Sequence, residues 1–444
     1  MAGVWRATGL SGYFDLLPGT AGRPFHLVAT FVGLGLSNGG FVGMYAVLGI
    51  VSMGQFLIIV WALWSFSSHR SLVWTGALVL ALHPWWPAGD ILRFLPAQVS
   101  CLGFCVFICL IMRYLKGRSS GTLIAASLTA CVALLAYQAL AATFLVFIVM
   151  AVVLFKQHNV KRTIAALLSA VIPVAAVFIY TVFIAPMLVP GSYEASLQGG
   201  GLGLLTSGKA IIRTMLLHAP EAVITVFLLA LITVIFGVAG VLTWPHASLI
   251  LLVVLVSPLT AMAYASTPLH LNDAERISFP IGTTAWLAML AWPAVAQPVK
   301  TISTTLVAVG LCVLSLTTAV FGLRQWAGYS ATQADVLRWI APAVAAAGPT
   351  DRVLVLDSSG TLGDVYTFLP PHIWIASQVE NDKDTQVDLC TVDGVVRNHP
   401  SAAVYPIGTT QYCSELVIEG TRTVMASESI AGKNVSVVLI REQH

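Results

Sequence analysis

The sequence predicts an all-α polytopic membrane protein of about ten transmembrane helices, with a small exported α/β domain at its C-terminal end. Three observations carry that expectation. Hydrophobic residues make up 57% of the 444 positions and charged residues 9%, against roughly 25% charged in a soluble globular chain. A soluble chain is therefore excluded, and disorder needs the opposite bias. Charge is divided along the chain: residues 1–330 carry 15 Lys/Arg and six acids, residues 331–444 seven Lys/Arg and 13 acids, so the first part is +9 and the tail −6. The 12 Trp and 11 Tyr suit interfacial aromatics at the faces of a bilayer. No basic run exceeds the short clusters expected at membrane edges, so nothing points to nucleic acid.

Apolar runs long enough to span lie at about 40–66, 71–86, 95–112, 119–136, 138–155, 163–186, 220–242, 247–265, 280–297 and 301–323. The second is short, with a break expected near His83-Pro84, and the fourth and fifth share a tight turn at Tyr137-Gln138. Basic residues set the direction of threading. Arg70, then Arg113, Lys116 and Arg118, then Lys156, Lys161 and Arg162, then Lys300 fall in alternate loops that hold no Asp or Glu. With those loops cytoplasmic, residues 1–38, 87–94, 187–219 and 266–279 lie outside, together with the tail. The expected organisation is an exported N-terminal loop with a re-entrant or interfacial helix over 1–38, a transmembrane bundle over 39–325 and an exported soluble domain over 326–444.

Residues 1–22 do not read as a signal peptide, because no basic stretch leads into an apolar core. An exported start is best explained by a further span upstream. Residues 24–37 are apolar but too short to cross. Cys101, Cys105, Cys109, Cys131 and Cys312 lie in apolar runs as small hydrophobes. Cys390 and Cys413, the two in the tail, are expected to form one disulfide. No zinc-type spacing occurs; the residues name no cofactor and leave a divalent metal open. In the tail, periodicity predicts a helix at about 331–347, strands at 352–356, 402–406, 415–419 and 435–440, and a turn at 357–364.

Ionisable groups beside a bilayer are expensive and mark function. Four clusters fall on the exported side. The first is GYFDLLPGTAGRPFH, with Asp15 as a general base and Arg23 and His26 as phosphate ligands. The second is HPWWPAGDILRFLPAQ, with Asp90 and Arg93 three apart and Gln98 a turn deeper. Trp85-Trp86 there reads as an interfacial belt. The third is the glycine-rich stretch 190–213, with Lys209 and Arg213 on one helical face. The fourth is LHLNDAERISFP, where Asp273, Glu275 and Arg276 precede a span and the Arg276 fork suits a phosphate head group.

The stretches GYFDLLPGTAGRPFH, HPWWPAGDILRFLPAQ and NDAERISFP, with many spans and an exported C-terminal domain, resemble the GT-C superfamily of glycosyltransferases. Within it the chain is similar to the serotype-converting glucosyltransferases and their actinobacterial relatives. The resemblance covers about three quarters of the chain. It implies a bacterial plasma-membrane enzyme, a polyprenyl-phosphate sugar donor, an envelope glycan acceptor and a catalytic acid in the first exported loop. Asp15 or Asp90 would accept the acceptor's proton, and Arg276 and Arg93 would stabilise the leaving phosphate. A transporter of lipid-linked sugars and a non-catalytic assembly protein are the competing classes; mid-span ion pairs would favour transport, and a sealed bundle would favour assembly.

Overall fold

The computed structural model describes residues 8–64, 69–86, 94–117, 119–154, 160–190, 204–264, 274–297, 301–348, 351–357, 386–391, 410–412, 421–430 and 433–441, with Trp5, Ser67 and Leu271. The chain divides into two compact units, Met1–Gly322 and Leu323–His444.

The first unit is helical. A short helix α1 (Ser11–Leu16) leads to α2 (Val28–Leu36), nine residues within the stretch expected to lie at the interface. Gly33 of α2 sits so close to Met44 that a Cβ there would strike the Met44 backbone, which packs α2 against α3 (Phe41–Trp64). Then come α4 (Arg70–Leu82) and α5 (Leu95–Leu115). Helix α4 ends because His83 adopts a left-handed conformation, φ 42°, and because a residue before proline is disfavoured in a helix. Helices α6 (Ser120–Ala136) and α7 (Ala141–Leu154) are separated by extended Tyr137 and a single 3-10 turn, Gln138–Leu140. Helix α8 (Val160–Ile179) carries Pro173 inside it and runs through a π-helical turn, Tyr180–Ile184, to Leu188.

The second half of the unit comprises α9 (Leu204–His218), α10 (Pro220–Val238), α11 (Trp244–Val256) with its 3-10 extension Ser257–Tyr264, and α12 (Ala274–Val295). Proline in the first turn starts α5, α10 and α11, where its missing N–H costs nothing. Every residue of α12 from 277 to 293 is buried. It packs against α4, α7, α10 and α11 and is the axis of the core.

Among the described residues six helices are long and apolar enough to cross a membrane: Val42–Trp64, Leu95–Leu115, Val160–Leu188, Pro220–Val238, Trp244–Tyr264 and Thr304–Arg324. Arg70–Leu82, Ser120–Ala136 and Gln138–Leu154 are shorter apolar helices. The chain is a multi-pass α-helical membrane protein.

Helix α13 runs unbroken from Thr301 to Ala346, about 69 Å at 1.5 Å per residue. The sequence had suggested a separate helix starting near 331. Residues 323–341 contain no proline and only one glycine, Gly328, so nothing stops the helix there.

The second unit contains a mixed five-stranded sheet of order β3-β2-β1-β5-β4, from β1 (Arg352–Asp357), β2 (Gln386–Thr391), β3 (Thr410–Tyr412), β4 (Thr421–Ile430) and β5 (Lys433–Arg441). β1 pairs in parallel with β2 and antiparallel with β5, where Val353 faces Leu439 and Val355 faces Val437, all four buried. β4 and β5 form an antiparallel pair with a bulge between Val424 and Ala426. The strands expected near 352–356 and 435–440 are β1 and β5. β2, β3 and β4 escaped the sequence pattern because they mix polar and apolar positions. The expected strands at 402–406 and 415–419 lie outside the described residues, as does Cys413. Cys390 lies in β2, beside Gln411 of β3, the strand that ends one residue before Cys413; the side chains needed to pair the two cysteines lie outside the described residues.

Candidate functional site

The turn between α1 and α2 is pinned to the interior of the bundle. The Tyr13 hydroxyl donates to the Pro24 carbonyl. Tyr180 Oη donates to Ala21 O at 2.8 Å, and Gln138 Nε2 donates to Gly22 O at 3.3 Å and to Thr181 Oγ1 at 2.8 Å. Two irregular backbone segments make these contacts: the break at Tyr137–Leu140 and the π-turn of α8. A π-turn interrupts the helical ladder and re-aims its side chains; here it brings Tyr180 and Thr181 to the N-terminal turn.

His26 sits at the centre of this arrangement. Its Nδ1 donates to Ala136 O at 3.1 Å, and a carbonyl only accepts, so Nδ1 carries the proton and Nε2 keeps its lone pair. The ring stacks on Tyr137, centroids 6.2 Å apart and planes 21° apart. Burial pushes the His26 pKa down to about 3, and the positive charges of Arg23 and Arg276 push in the same direction. The imidazole is therefore neutral at physiological pH, beside two guanidinium groups from distant parts of the unit. Arg23 and Arg276 are both half-buried.

Beneath this cationic rim runs a floor of aromatic rings. Tyr137 accepts a hydrogen bond from Tyr264 Oη at 3.0 Å and meets Phe279 edge-on at 6.0 Å. Phe279 is one helical turn from Arg276 on α12, so the charged head and the ring share a face. Phe279 also meets Trp86 at 4.5 Å and His83 at 6.2 Å, and Trp86 meets Phe94 at 5.3 Å. Trp85 lies flat against Gly282, where a Cβ would run into the indole. The expectation of a Trp85-Trp86 interfacial belt is therefore corrected: Trp85 is 0% and Trp86 2% exposed. Glycine at 282 opens the side of α12 to an indole, a long-range contact that a Trp-Trp pair at a span end does not announce.

Next to the aromatics lies a polar knot. Gln98 Oε1 accepts from Gln55 Nε2 at 2.9 Å and from His83 Nε2 at 3.0 Å. Five buried polar atoms around it, Gln55 Oε1, His83 Nδ1, the Nε1 groups of Trp85 and Trp86, and Thr283 Oγ1, have no protein partner among the described residues. Each such group costs about 1–3 kcal/mol if it stays unsatisfied.

The expected site residues thus separate. The charges of Arg23 and Arg276 both act on His26. Gln98 is buried and orients His83 and Gln55 from below; it lines no open surface. Asp15 is exposed on α1, the helix that Tyr13 ties to Pro24. Lys209 and Arg213 lie one turn apart on the exposed face of α9. Asp90, Arg93 and Asp273 lie outside the described residues, and Glu275 is described only as part of the α12 backbone. Among the described residues no group of three or more His, Cys, Asp or Glu side chains is placed to hold a metal ion. Tyr137, Phe279 and Tyr180 were missed because aromatic residues in apolar runs look like core. The one available signal was Tyr137-Gln138 interrupting two long apolar runs.

Fold and site together define an integral, multi-pass α-helical membrane protein with a cluster of half-buried cationic side chains beside a buried aromatic cluster at one end of its bundle. Comparison of the chain with protein-family models, with curated proteins and with solved structures found no match.

Proposed function

We propose that this protein is an integral-membrane glycosyltransferase that moves a sugar from a polyprenyl-phosphate-linked donor to a cell-envelope glycan on the exported face of a bacterial plasma membrane. The observation that carries this reading is His26, held by Ala136 O and stacked on Tyr137, with the positive charges of both Arg23 and Arg276 acting on its imidazole. Two guanidinium groups beside a bilayer suit a phosphate, which each can grip through two oxygens. A neutral imidazole with a free lone pair accepts a hydrogen bond from a sugar hydroxyl, and adds no third positive charge.

In this mechanism the bond between the anomeric carbon and the phosphate oxygen breaks, and its electron pair leaves with the polyprenyl phosphate. Arg23 and Arg276 stabilise the charge that develops there, an effect worth about 10²–10³-fold per well-placed donor. The acceptor hydroxyl attacks the anomeric carbon and passes its proton to a carboxylate, Asp15 or Asp90, a step worth about 10²–10⁴-fold. Asp15 belongs to the N-terminal segment that also supplies Arg23 and His26, so Asp15→Asn is expected to cost more transfer than Asp90→Asn.

The test is transfer from a labelled polyprenyl-phosphate sugar in proteoliposomes. Arg276→Ala should lower turnover by about 10²–10³-fold at unchanged protein level, and Arg276→Lys should recover only part of it, because the planar fork is lost. Undiminished transfer by Arg276→Ala removes the residue from the mechanism. Full transfer by both Asn variants moves the base elsewhere.

A further inference from the structure

We propose that the end of the bundle opposite His26 is a built receptor for the head group of an anionic membrane phospholipid. Helix α5 fixes the two ends. Its first turns, at Gln98, carry the polar knot, and its last turn, about 22 Å further along, carries Arg113 and Tyr114. Three arginine–aromatic pairs meet at this second end. The Arg113 guanidinium lies 3.5 Å from the centre of the Trp61 ring, Arg70 lies 4.6 Å from Trp64, and Arg162 lies 5.9 Å from Tyr114. The pairs join the last turn of α3, the first turn of α4, the last turn of α5 and the first turn of α8. Trp74 meets Trp64 edge-on at 6.3 Å.

These tryptophans do not fill a core: Trp61 is 57% and Trp64 42% exposed. They close an exposed apolar stripe on α3 that runs through Met53 and Leu57 at helical spacing. The stripe offers acyl chains a surface that leads to the arginines. An arginine held over an indole is gripped through the face of its guanidinium plane, which leaves the in-plane N–H donors at the edge. That fork matches two oxygens of one phosphodiester. In sequence, residues 61–74, 113–120 and 156–162 contain Arg and Lys and no Asp or Glu, so the charge local to these stretches is positive and complements an anionic occupant. A phosphodiester carrying acyl chains and a net negative charge suits the stacked Arg70 and Arg113, the exposed indoles and the stripe at once. The proposal is independent of the glycosyl-transfer reading, because it uses none of the residues at the His26 end.

The experiment uses the full chain, delipidated in detergent and exchanged against vesicles of phosphatidylglycerol or of phosphatidylcholine, with retained lipid counted by native mass spectrometry. Wild-type protein should retain about tenfold more phosphatidylglycerol. The Arg70→Ala/Arg113→Ala double variant should lose most of that preference, and Arg113→Lys should lose about threefold, since the charge stays while the stacked fork goes. Trp61→Phe, which leaves every charge in place, should fall between wild type and the double variant and guards against a folding defect in the latter. Equal retention of the two lipids by wild type overturns the proposal. So does a double variant that keeps the preference, or Arg113→Lys and Trp61→Phe variants that match wild type, which would reduce the site to unstructured positive charge.

Discussion

Helices α5 and α8 are comparably apolar, yet 72% of the span window of the first and 22% of the second is buried. In water, apolarity sorts residues inward. In a bilayer lipid tails are as apolar as leucine, so hydropathy identifies a span without saying which side of it faces protein. Small and polar residues carry that information. Helix α5 holds Gln98, Ser100, Cys101, Gly103 and Cys105. Gly103 lets Ala133 of α6 approach so closely that a Cβ would lie 2.7 Å from the alanine methyl, and Ser100 Oγ reaches Tyr137 O at 2.9 Å. Helix α8 buries one narrow edge, Ala166, Ser169, Ala170, Pro173 and Val177, and exposes Ile164, Leu168, Ile172 and Phe178. Helix α5 contributes through its buried face, and α8 contributes through the π-turn at its end, where Tyr180 and Thr181 meet the N-terminal turn.

The most severe way to break this contrast is at Gly282. Gly282→Ala would drive a methyl group into the Trp85 indole, and overpacking of that kind costs about 1–3 kcal/mol or more. Gly310→Ala adds the same methyl on an exposed stretch of α13, where nothing lies within 4 Å. Thermal melting in detergent should show a large drop for Gly282→Ala and almost none for Gly310→Ala. Equal drops would mean that α12 is not the axis of the core.

Next in size is the polar knot. Gln98→Leu strands the His83 donor in a buried place, at about 1–3 kcal/mol, while Gln55 Nε2 keeps its bond to the backbone carbonyl of residue 98. Gln98→Glu, which keeps an acceptor, should be milder at acid pH, where the carboxyl is neutral, than at neutral pH. Melting curves of the two variants separate a hydrogen-bonding role from plain packing. A Gln98→Leu variant as stable as wild type would show that the knot holds nothing together.

A smaller effect sharpens the electrostatics of the rim. The His26 pKa is about 3 in the folded protein, against about 6.5 for an unperturbed imidazole. The unfolded chain therefore binds a proton that the folded one refuses once pH falls below about 6.5. Stability contributed by neutral His26 is complete above that pH and is lost progressively toward pH 3. His26→Gln removes this titration while leaving a donor for Ala136 O. The difference in stability between wild type and His26→Gln, followed by melting from pH 7.5 to 4, should change steadily below pH 6.5. A constant difference would place His26 in an ordinary solvated setting.

Much of this was legible in the residues and some was not. Arg23, His26 and Arg276 stood out because charge beside apolar runs is costly, and in the structure the charges of both arginines act on His26. The turn at Tyr137 was visible because polar Gln138 interrupts two apolar runs. The burial of Trp85 and Trp86 was hidden because it depends on Gly282, nearly 200 positions away in the chain. The π-turn at Tyr180–Ile184 was hidden because YTVFI reads as ordinary helix and its irregularity comes from the contacts of Tyr180 and Thr181 with the N-terminal turn. The helical spacing at 331–347 was legible, but its continuity with the span before it was not, because hydropathy falls where the span ends while the backbone stays helical.

The central claim is that Arg23 and Arg276 hold one phosphate between them. The most direct measurement is the binding of a polyprenyl phosphate to wild-type protein, to Arg23→Ala, to Arg276→Ala and to the double variant in nanodiscs. Two arginines on one phosphate predict that each single change weakens binding by about tenfold or more. They also predict that the double change weakens it by clearly less than the product of the two, because the second arginine has lost a shared partner. Binding that is unchanged in the single variants, or losses that multiply as if the arginines acted on separate ligands, would contradict the account.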